Sequence, residues 1–213
     1  AVNWSLYSQN PKLILFSRDG YVFLGGFVGA VLACIWYIRK HNQSILGVAD
    51  LFAPFLALAH GIGRIGCFLF GCCYGKVCSE GTGVHFPPDS PAFIDQINQG
   101  LLDAHAEHSL AVYPTQLFSS VFNLINFAIL LFLLTRQKFK GQIAMCYLMI
   151  YGTGRFIIEF FRGDYRGALG PLSTSQLISL LLISAGLAGY LYLRQVALPP
   201  DTVPAPDSAK REK

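Results

Sequence analysis

Apolar residues gather in five long runs, each bounded by polar residues or by Gly and Pro. A bilayer core of about 30 Å needs roughly 20 helical residues to cross it. The first run is Tyr21–Ile38, which ends at Arg39-Lys40. The second runs from about Gly47 to Cys73 and contains Pro54, His60 and Arg64. The third is Pro114–Thr135, with Pro at the first helical turn, where its missing N–H costs nothing. The fourth is Gln142–Phe161, and the fifth is Leu172–Leu193, with Ser173 and Thr174 as N-cap candidates. The pattern predicts an all-α polytopic membrane bundle of about five spans. Between the second and third spans lies a polar segment, Lys76–Val112, with Pro87, Pro88, Pro91, His85, His105 and His108. Within it, Pro91–Asp103 predicts a short amphipathic helix, with Phe93, Ile94, Ile97, Leu101 and Leu102 on one side. Residues 1–198 are expected to form one membrane domain, with 76–112 outside the membrane. The stretch 199–213, rich in Pro, Asp and Lys, reads as a disordered tail.

Composition sharpens this picture. Of 213 residues, 53% are hydrophobic and only 13% charged. A water-soluble domain carries about 25% charged residues. Half that fraction cannot cover a solvated surface, and the same numbers exclude disorder, collagen and coiled coil. The net charge of +4 is spread along the chain without a basic block, so nucleic acid is not an expected partner. Six cysteines are too few for a disulfide scaffold of this length. The chain opens on Ala1 rather than Met, and its first twenty residues, with Asn10, Pro11, Arg18 and Asp19, lack a signal-peptide layout. The natural N-terminus is expected to lie upstream.

Lys and Arg placement predicts orientation. Arg39, Lys40, Arg136, Lys138, Lys140, Arg194, Lys210, Arg211 and Lys213 fall on one side if every span crosses once. Lys12, Arg18, Lys76, Arg162 and Arg166 fall on the other. The nine-residue side is expected to be cytoplasmic, and with it the C-terminus.

Charge within a span costs about 2.5 kcal/mol or more at a helix centre, so it points to function. Two places carry such charge. His60 and Arg64 share a helix face in a glycine-rich stretch that includes Gly63 and Gly66. Tyr151, Arg155, Glu159 and Arg162 fall at i, i+4, i+8 and i+11, forming one stripe on one helix. An arginine excess within a membrane calls for an anion, and a lipid phosphate suits the planar guanidinium fork. The plainer alternative is that Arg155 and Glu159 form a structural pair while Arg64 snorkels to the interface.

These residues fall in motifs that resemble a known family. Gly63-Arg64-Ile65-Gly66-x-Phe68 followed by Gly71 and Gly75, then Tyr113-Pro-Thr-Gln116-Leu-Phe118, then Tyr151-Gly-x-x-Arg155-x-x-x-Glu159-Phe-Phe-Arg162 resemble the signatures of prolipoprotein diacylglyceryl transferases, in family order. The resemblance runs from about Leu15 to Leu193. It implies a bacterial inner-membrane enzyme of about seven helices, with its site toward the outer face. The implied reaction moves the diacylglyceryl group of phosphatidylglycerol to the lipobox cysteine of a prolipoprotein, forming a thioether and releasing glycerol phosphate. Arg64 and Arg155 would be the essential arginines, with Tyr151, Glu159, Arg162 and Gly75 beside them. Gly63, Gly66, Cys67 and Gln116 join them as candidates for holding substrate. By the same resemblance, the family's first one or two helices are expected to lie upstream of this sequence.

The sequence also departs from the family pattern. Leu24 stands where the family has a His before Gly25-Gly26, Cys67 where it has Asn, and Cys72 where it has an acidic residue. His60, one turn before Arg64, is our candidate for the lost imidazole, against the alternative of a structural histidine. No cofactor is expected. Cys67, Cys72, Cys73 and Cys78 do not have the spacing of a zinc site, although a disulfide involving Cys78 would suit an oxidising face. Cys34 and Cys146 read as small buried residues, and the three loop histidines as solvated. Two further readings stay open: a phospholipid-dependent transferase with another acceptor, and a non-catalytic phospholipid-binding protein.

Overall fold

A computed structural model describes residues 22–79, 81–103, 105–163, 168–169 and 172–196. The side chain of Leu24, Arg166, the segment before residue 22 and the 199–213 tail lie outside the described residues. The chain divides into two compact units, Ala1–Val48 and Ala49–Lys213.

The first unit holds helix α1 (Val22–Lys40), which closes on two basic residues. Cations there face the negative end of the helix dipole. Lys40 Nζ lies 4.9 Å from the Trp36 ring centroid. Asn42, at φ 52, turns the chain. Helix α2 (Ile45–Phe70) starts just beyond Ser44, whose Oγ accepts from Gly47 N at 3.3 Å, an N-cap bond.

In the second unit α2 is followed by α3 (Pro91–Asn98), α4 (Thr115–Leu134), α5 (Gln142–Glu159), a two-residue hairpin of β1 (Ala168–Leu169) and β2 (Leu172–Ser173), and α6 (Thr174–Val196). Among the described residues, α2, α4 and α6 are long and apolar enough to cross a membrane. Helix α4 shows why. Its buried residues are Thr115, Gln116, Ser119, Ser120, Asn123, Asn126 and Leu130. Its exposed ones include Phe118, Val121, Leu124, Ile125, Ile129 and Phe132. Polar inside and apolar outside is untenable in water. It is the arrangement of a helix whose outer face meets lipid and whose polar groups must find partners within the protein.

The long helices are tied at both ends. At one end the buried Asp50 of α2 accepts from Ala144 N at 2.8 Å and also from Gly141 N and Gln137 Nε2. It thereby satisfies amides at the start of α5, where a carboxylate is also favoured by the dipole. A small core of Ala53, Ala57, Leu130, Ile143 and Tyr147 lies between α2, α4 and α5. Helices α5 and α6 approach closely through glycines, as small residues allow. A Cβ on Gly152 would lie 3.0 Å from Ser179 O, and one on Gly186 would lie 3.0 Å from Met145 O.

At the other end the strap after α2 runs between two neighbouring segments. Gly75 N donates to Tyr113 O at 2.9 Å and Lys76 N to Phe161 O at 2.8 Å. A Cβ on Gly75 would sit 2.6 Å from Tyr113 O and 2.8 Å from Phe161 O. Only glycine fits there. Tyr74, Phe86, Ala92 and Val112 form a second small core beneath the strap.

The sequence placed the helices correctly to within a few residues and missed some details. The predicted amphipathic helix ends at Asn98 rather than Asp103, because Gly100 enters the left-handed region at φ 70. It buries Ala92, Phe93 and Gln96, while Ile94 and Leu101 are exposed. Pro114 is the N-cap of α4 rather than part of its first turn. Ser173 is the cap of α6, in a reciprocal box with Gln176: Gln176 N donates to Ser173 Oγ at 3.1 Å and Ser173 N to Gln176 Oε1 at 3.0 Å.

Candidate functional site

His60 and Arg64 on α2, Ser119, Phe122 and Asn123 on α4, and Tyr151, Arg155 and Ile158 on α5 line one narrow cleft. The two arginines, 91 positions apart in sequence, are thus brought to the same space by the packing of α2 against α5. Gly154 makes room for this arrangement, since a Cβ there would fall inside the Phe122 ring, 2.1 Å from its Cε1.

Arg155 is held from two sides. Its Nη2 is 3.3 Å from Glu159 Oε2 and donates to Ser175 Oγ on α6 at 3.1 Å. Glu159 in turn accepts from Ser173 Oγ at 3.0 Å and faces Arg162 Nε at 3.8 Å. The side chain of Arg162 is only 3% exposed. Among the described residues Arg155 Nη1 is buried with no hydrogen-bond partner. Among the described residues Arg64 has no hydrogen bond or ion pair either. Among the described residues Glu159 faces two guanidinium groups, Arg155 and Arg162, and no carboxylate faces Arg64, which leaves cationic N–H donors on two sides of the cleft. Buried donors without partners cost about 1–3 kcal/mol each, more for charged groups, and an anion in the cleft relieves that cost.

His60 lies against Tyr151, with ring centroids 5.0 Å apart, and its Nδ1 is 3.0 Å from the Tyr147 hydroxyl. Tyr147 and Tyr151 stack at 5.5 Å. The imidazole is thus oriented by a hydroxyl, with its other nitrogen left for other partners.

The remaining candidates separate into groups. A Cβ on Gly63 or Gly66 would meet nothing within 4 Å, so their bare faces look onto open space. Gly75 has the structural role already described. Gln116, 1% exposed, donates through Nε2 to Cys72 O at 2.8 Å, and its Oε1 has no partner among the described residues. Cys67 lies with Cys72 and Cys73 rather than lining the cleft, the three sulfur atoms within 4.8 Å of one another. Burial, with the neighbouring Cys73 and Cys67 thiols, pushes the Cys72 thiol up to about 12.

All six cysteines are thiols, Cys78 included, and Cys34 is exposed rather than buried. The loop histidines His85, His105 and His108 are exposed, as expected. The rings of His85 and His108 nonetheless converge: their centroids lie 4.4 Å apart at a 55° tilt, and the Nδ1 atoms lie 2.7 and 3.0 Å from Ser109 O.

Sequence reasoning missed Ser119, Asn123 and Ser175, and gave Ser173 only as an N-cap candidate. A signal for the first two was present: Gln116, Ser119, Ser120, Asn123 and Asn126 recur at helical spacing in an otherwise apolar run. Ser173 in β2 and Ser175 in α6 carry no such pattern.

A helical bundle with three membrane-capable helices and an arginine-lined cleft defines a membrane protein with a cationic site. Residues 2–192 match the profile of the prolipoprotein diacylglyceryl transferases, and the chain belongs to that family. It is 41% identical over 193 residues to phosphatidylglycerol–prolipoprotein diacylglyceryl transferase 2 of Clostridium perfringens, covering 88% of this chain and 68% of that protein. It is 39% identical over 179 residues to the phosphatidylglycerol–prolipoprotein diacylglyceryl transferase of Clostridium tetani, covering 84% and 66%. The corresponding protein of Stenotrophomonas maltophilia is 32% identical over 190 residues, covering 85% and 64%. The chain spans about two thirds of the length of these relatives.

Proposed function

We propose that the protein transfers the diacylglyceryl group of phosphatidylglycerol to the cysteine thiol of a prolipoprotein lipobox. The observation that carries this reading is the pair of arginines, Arg64 and Arg155, with unmatched N–H donors in one cleft. The relatives that carry this activity in their names support it.

In the proposed step the acceptor sulfur attacks the glyceryl carbon that bears the phosphate. A C–S bond forms, the C–O bond breaks, and glycerol phosphate leaves with the bond's electron pair. Arg64 and Arg155 hold the phosphate and stabilise the charge that develops on it. His60, oriented by Tyr147, takes the thiol proton through Nε2 and passes it to the departing group or to solvent. Glu159 positions Arg155, with Ser173 and Ser175 completing the support. Arg162 and Tyr151 border the same site. Gly63 and Gly66 let the headgroup approach α2, and Gln116 and Cys67 shape the end of the helix beside it. Nothing in this sequence of events requires a cofactor.

The proposal extends to topology. Helices α1 and α5 cross the membrane as well, giving five spans in residues 1–198. The chain sits in the bacterial inner membrane with the strap and α3 on the outer face, and the tail after residue 198 is cytoplasmic. The excess of Lys and Arg at the α4–α5 turn and near the C-terminus supports that orientation.

The test uses the full-length protein in lipid, labelled phosphatidylglycerol and a lipobox peptide. Mass spectrometry is expected to find a diacylglyceryl adduct on the peptide cysteine that both Arg64→Ala and Arg155→Ala lose. Phosphatidylglycerol that binds without an adduct would point instead to another acceptor or to binding alone.

A further inference from the structure

We infer that Cys67, Cys72 and Cys73 form a site for one thiophilic d¹⁰ cation, zinc or monovalent copper, at the outer end of α2. Cys67 stands on the last turn of the helix, and Cys72 and Cys73 lie in the turn that follows. Their sulfur atoms all fall within 4.8 Å of one another. A metal–sulfur bond of about 2.3 Å places sulfur ligands about 3.8–4.0 Å apart in tetrahedral or trigonal geometry. The three thiols need to close by at most about 1 Å, within the reach of side-chain rotation.

The backbone around them is fixed by hydrogen bonds from the helix end and from the start of α4. Cys72 N donates to Cys67 O at 3.1 Å, closing the turn on the helix. Gln116 Nε2 donates to Cys72 O at 2.8 Å and Thr115 Oγ1 to Cys73 O at 2.9 Å. Both donors sit at the start of α4 and are 1% exposed. Gly71 turns at φ 77, and a Cβ there would meet Ser90 Cβ at 2.9 Å. Cys73 itself adopts φ 60, a conformation that residues with a Cβ take rarely and at a cost. Three residues used only to fill space would need neither convergence nor strain. Converging thiols on an anchored, strained turn are what a thiolate-bound cation requires, and sulfur selects zinc or monovalent copper over harder ions.

Such an ion would staple α2 to the strap that carries Gly75. Cys67 is one turn beyond Arg64 on the same helix, so the staple would fix the end of α2 from which Arg64 projects. The Cys-x₄-Cys-Cys spacing carries no zinc signature in sequence, because such signatures are built on Cys-x-x-Cys pairs, whereas the proposed site forms from a helix end and a turn.

The full-length protein, purified in detergent with its thiols kept reduced, would be assayed for zinc and copper by elemental mass spectrometry. Zinc chloride and a monovalent copper salt would then be titrated in separate arms. One equivalent of one of these metals is expected per chain. Cys67→Ser, Cys72→Ser and Cys73→Ser should each lower retention at least tenfold, while Cys146→Ser retains it. Because a serine variant could fail to fold, cadmium titration of the unsubstituted protein gives a second readout: a thiolate-to-metal charge-transfer band saturating at one equivalent. Absence of that band, no bound metal in reduced protein, retention equal in all four variants, or a disulfide among the three cysteines that persists under reduction would each overturn the assignment.

Discussion

Arg155 and Glu159, one helical turn apart, form an ion pair at 3.3 Å that leaves Arg155 Nη1 buried and without a hydrogen-bond partner among the described residues. The carboxylate aims the guanidinium without exhausting it. A planar fork with one edge tied and one edge open can take a phosphate oxygen in a fixed orientation. Lysine has the charge but not the fork. Arg155→Lys is therefore expected to lower kcat/KM for phosphatidylglycerol by about 100-fold, the usual scale for losing a preorganised donor. Single-turnover adduct formation on a lipobox peptide would measure it, and near-normal activity would remove Arg155 from the site.

Glu159→Gln keeps the shape of the side chain and removes its charge. Breaking a buried pair is costly because the partner stays charged, by about 3–5 kcal/mol at the upper end. The expected result is a fall in kcat of roughly tenfold or more with a smaller change in KM, since Glu159 acts through Arg155. A change confined to thermal stability would make the pair purely structural.

If His60 is the base, His60→Gln abolishes most adduct formation, and general-base loss accounts for about 10²–10⁴-fold. Tyr147→Phe removes only the hydroxyl that orients Nδ1 and should cost much less. A His60→Gln enzyme with full activity would eliminate the role.

The glycines offer a cleaner separation of structure from contact. Gly75→Ala forces a Cβ to within 2.6 Å of Tyr113 O and should displace the strap. A drop of several degrees in the detergent melting temperature is expected. Gly63→Ala and Gly66→Ala meet nothing within 4 Å and should leave that temperature unchanged. Lost activity in either would then report interference with an approaching headgroup, and unchanged activity in both would take α2's open face out of the site.

Asp50→Ala tests the opposite end. It strips the acceptor from Gly141 N, Ala144 N and Gln137 Nε2 at the start of α5. Orphaned buried amides cost about 1–3 kcal/mol each. Melting in detergent should fall more for Asp50→Ala than for any single change to the cleft, and an unchanged melt would show that water takes over the cap.

Periodicity and composition alone determined that this is a helical membrane protein. They set the bounds of its long helices to within a few residues and put Arg64, Arg155 and Glu159 among the residues of interest. These follow from local rules: a 3.6-residue repeat, the cost of charge in hydrocarbon, and motifs short enough to lie on one helix. What the sequence could not supply were the pairings made across the bundle. Ser173 and Ser175 support Glu159 and Arg155 from β2 and α6, Asp50 caps α5 from α2, and Gly75 is confined between Tyr113 and Phe161. The meeting of three thiols at a helix end belongs to the same group. Each depends on where two distant segments come to rest. That is decided by how the glycines and polar stripes of the helices pack together, and no periodicity along a single segment carries that information.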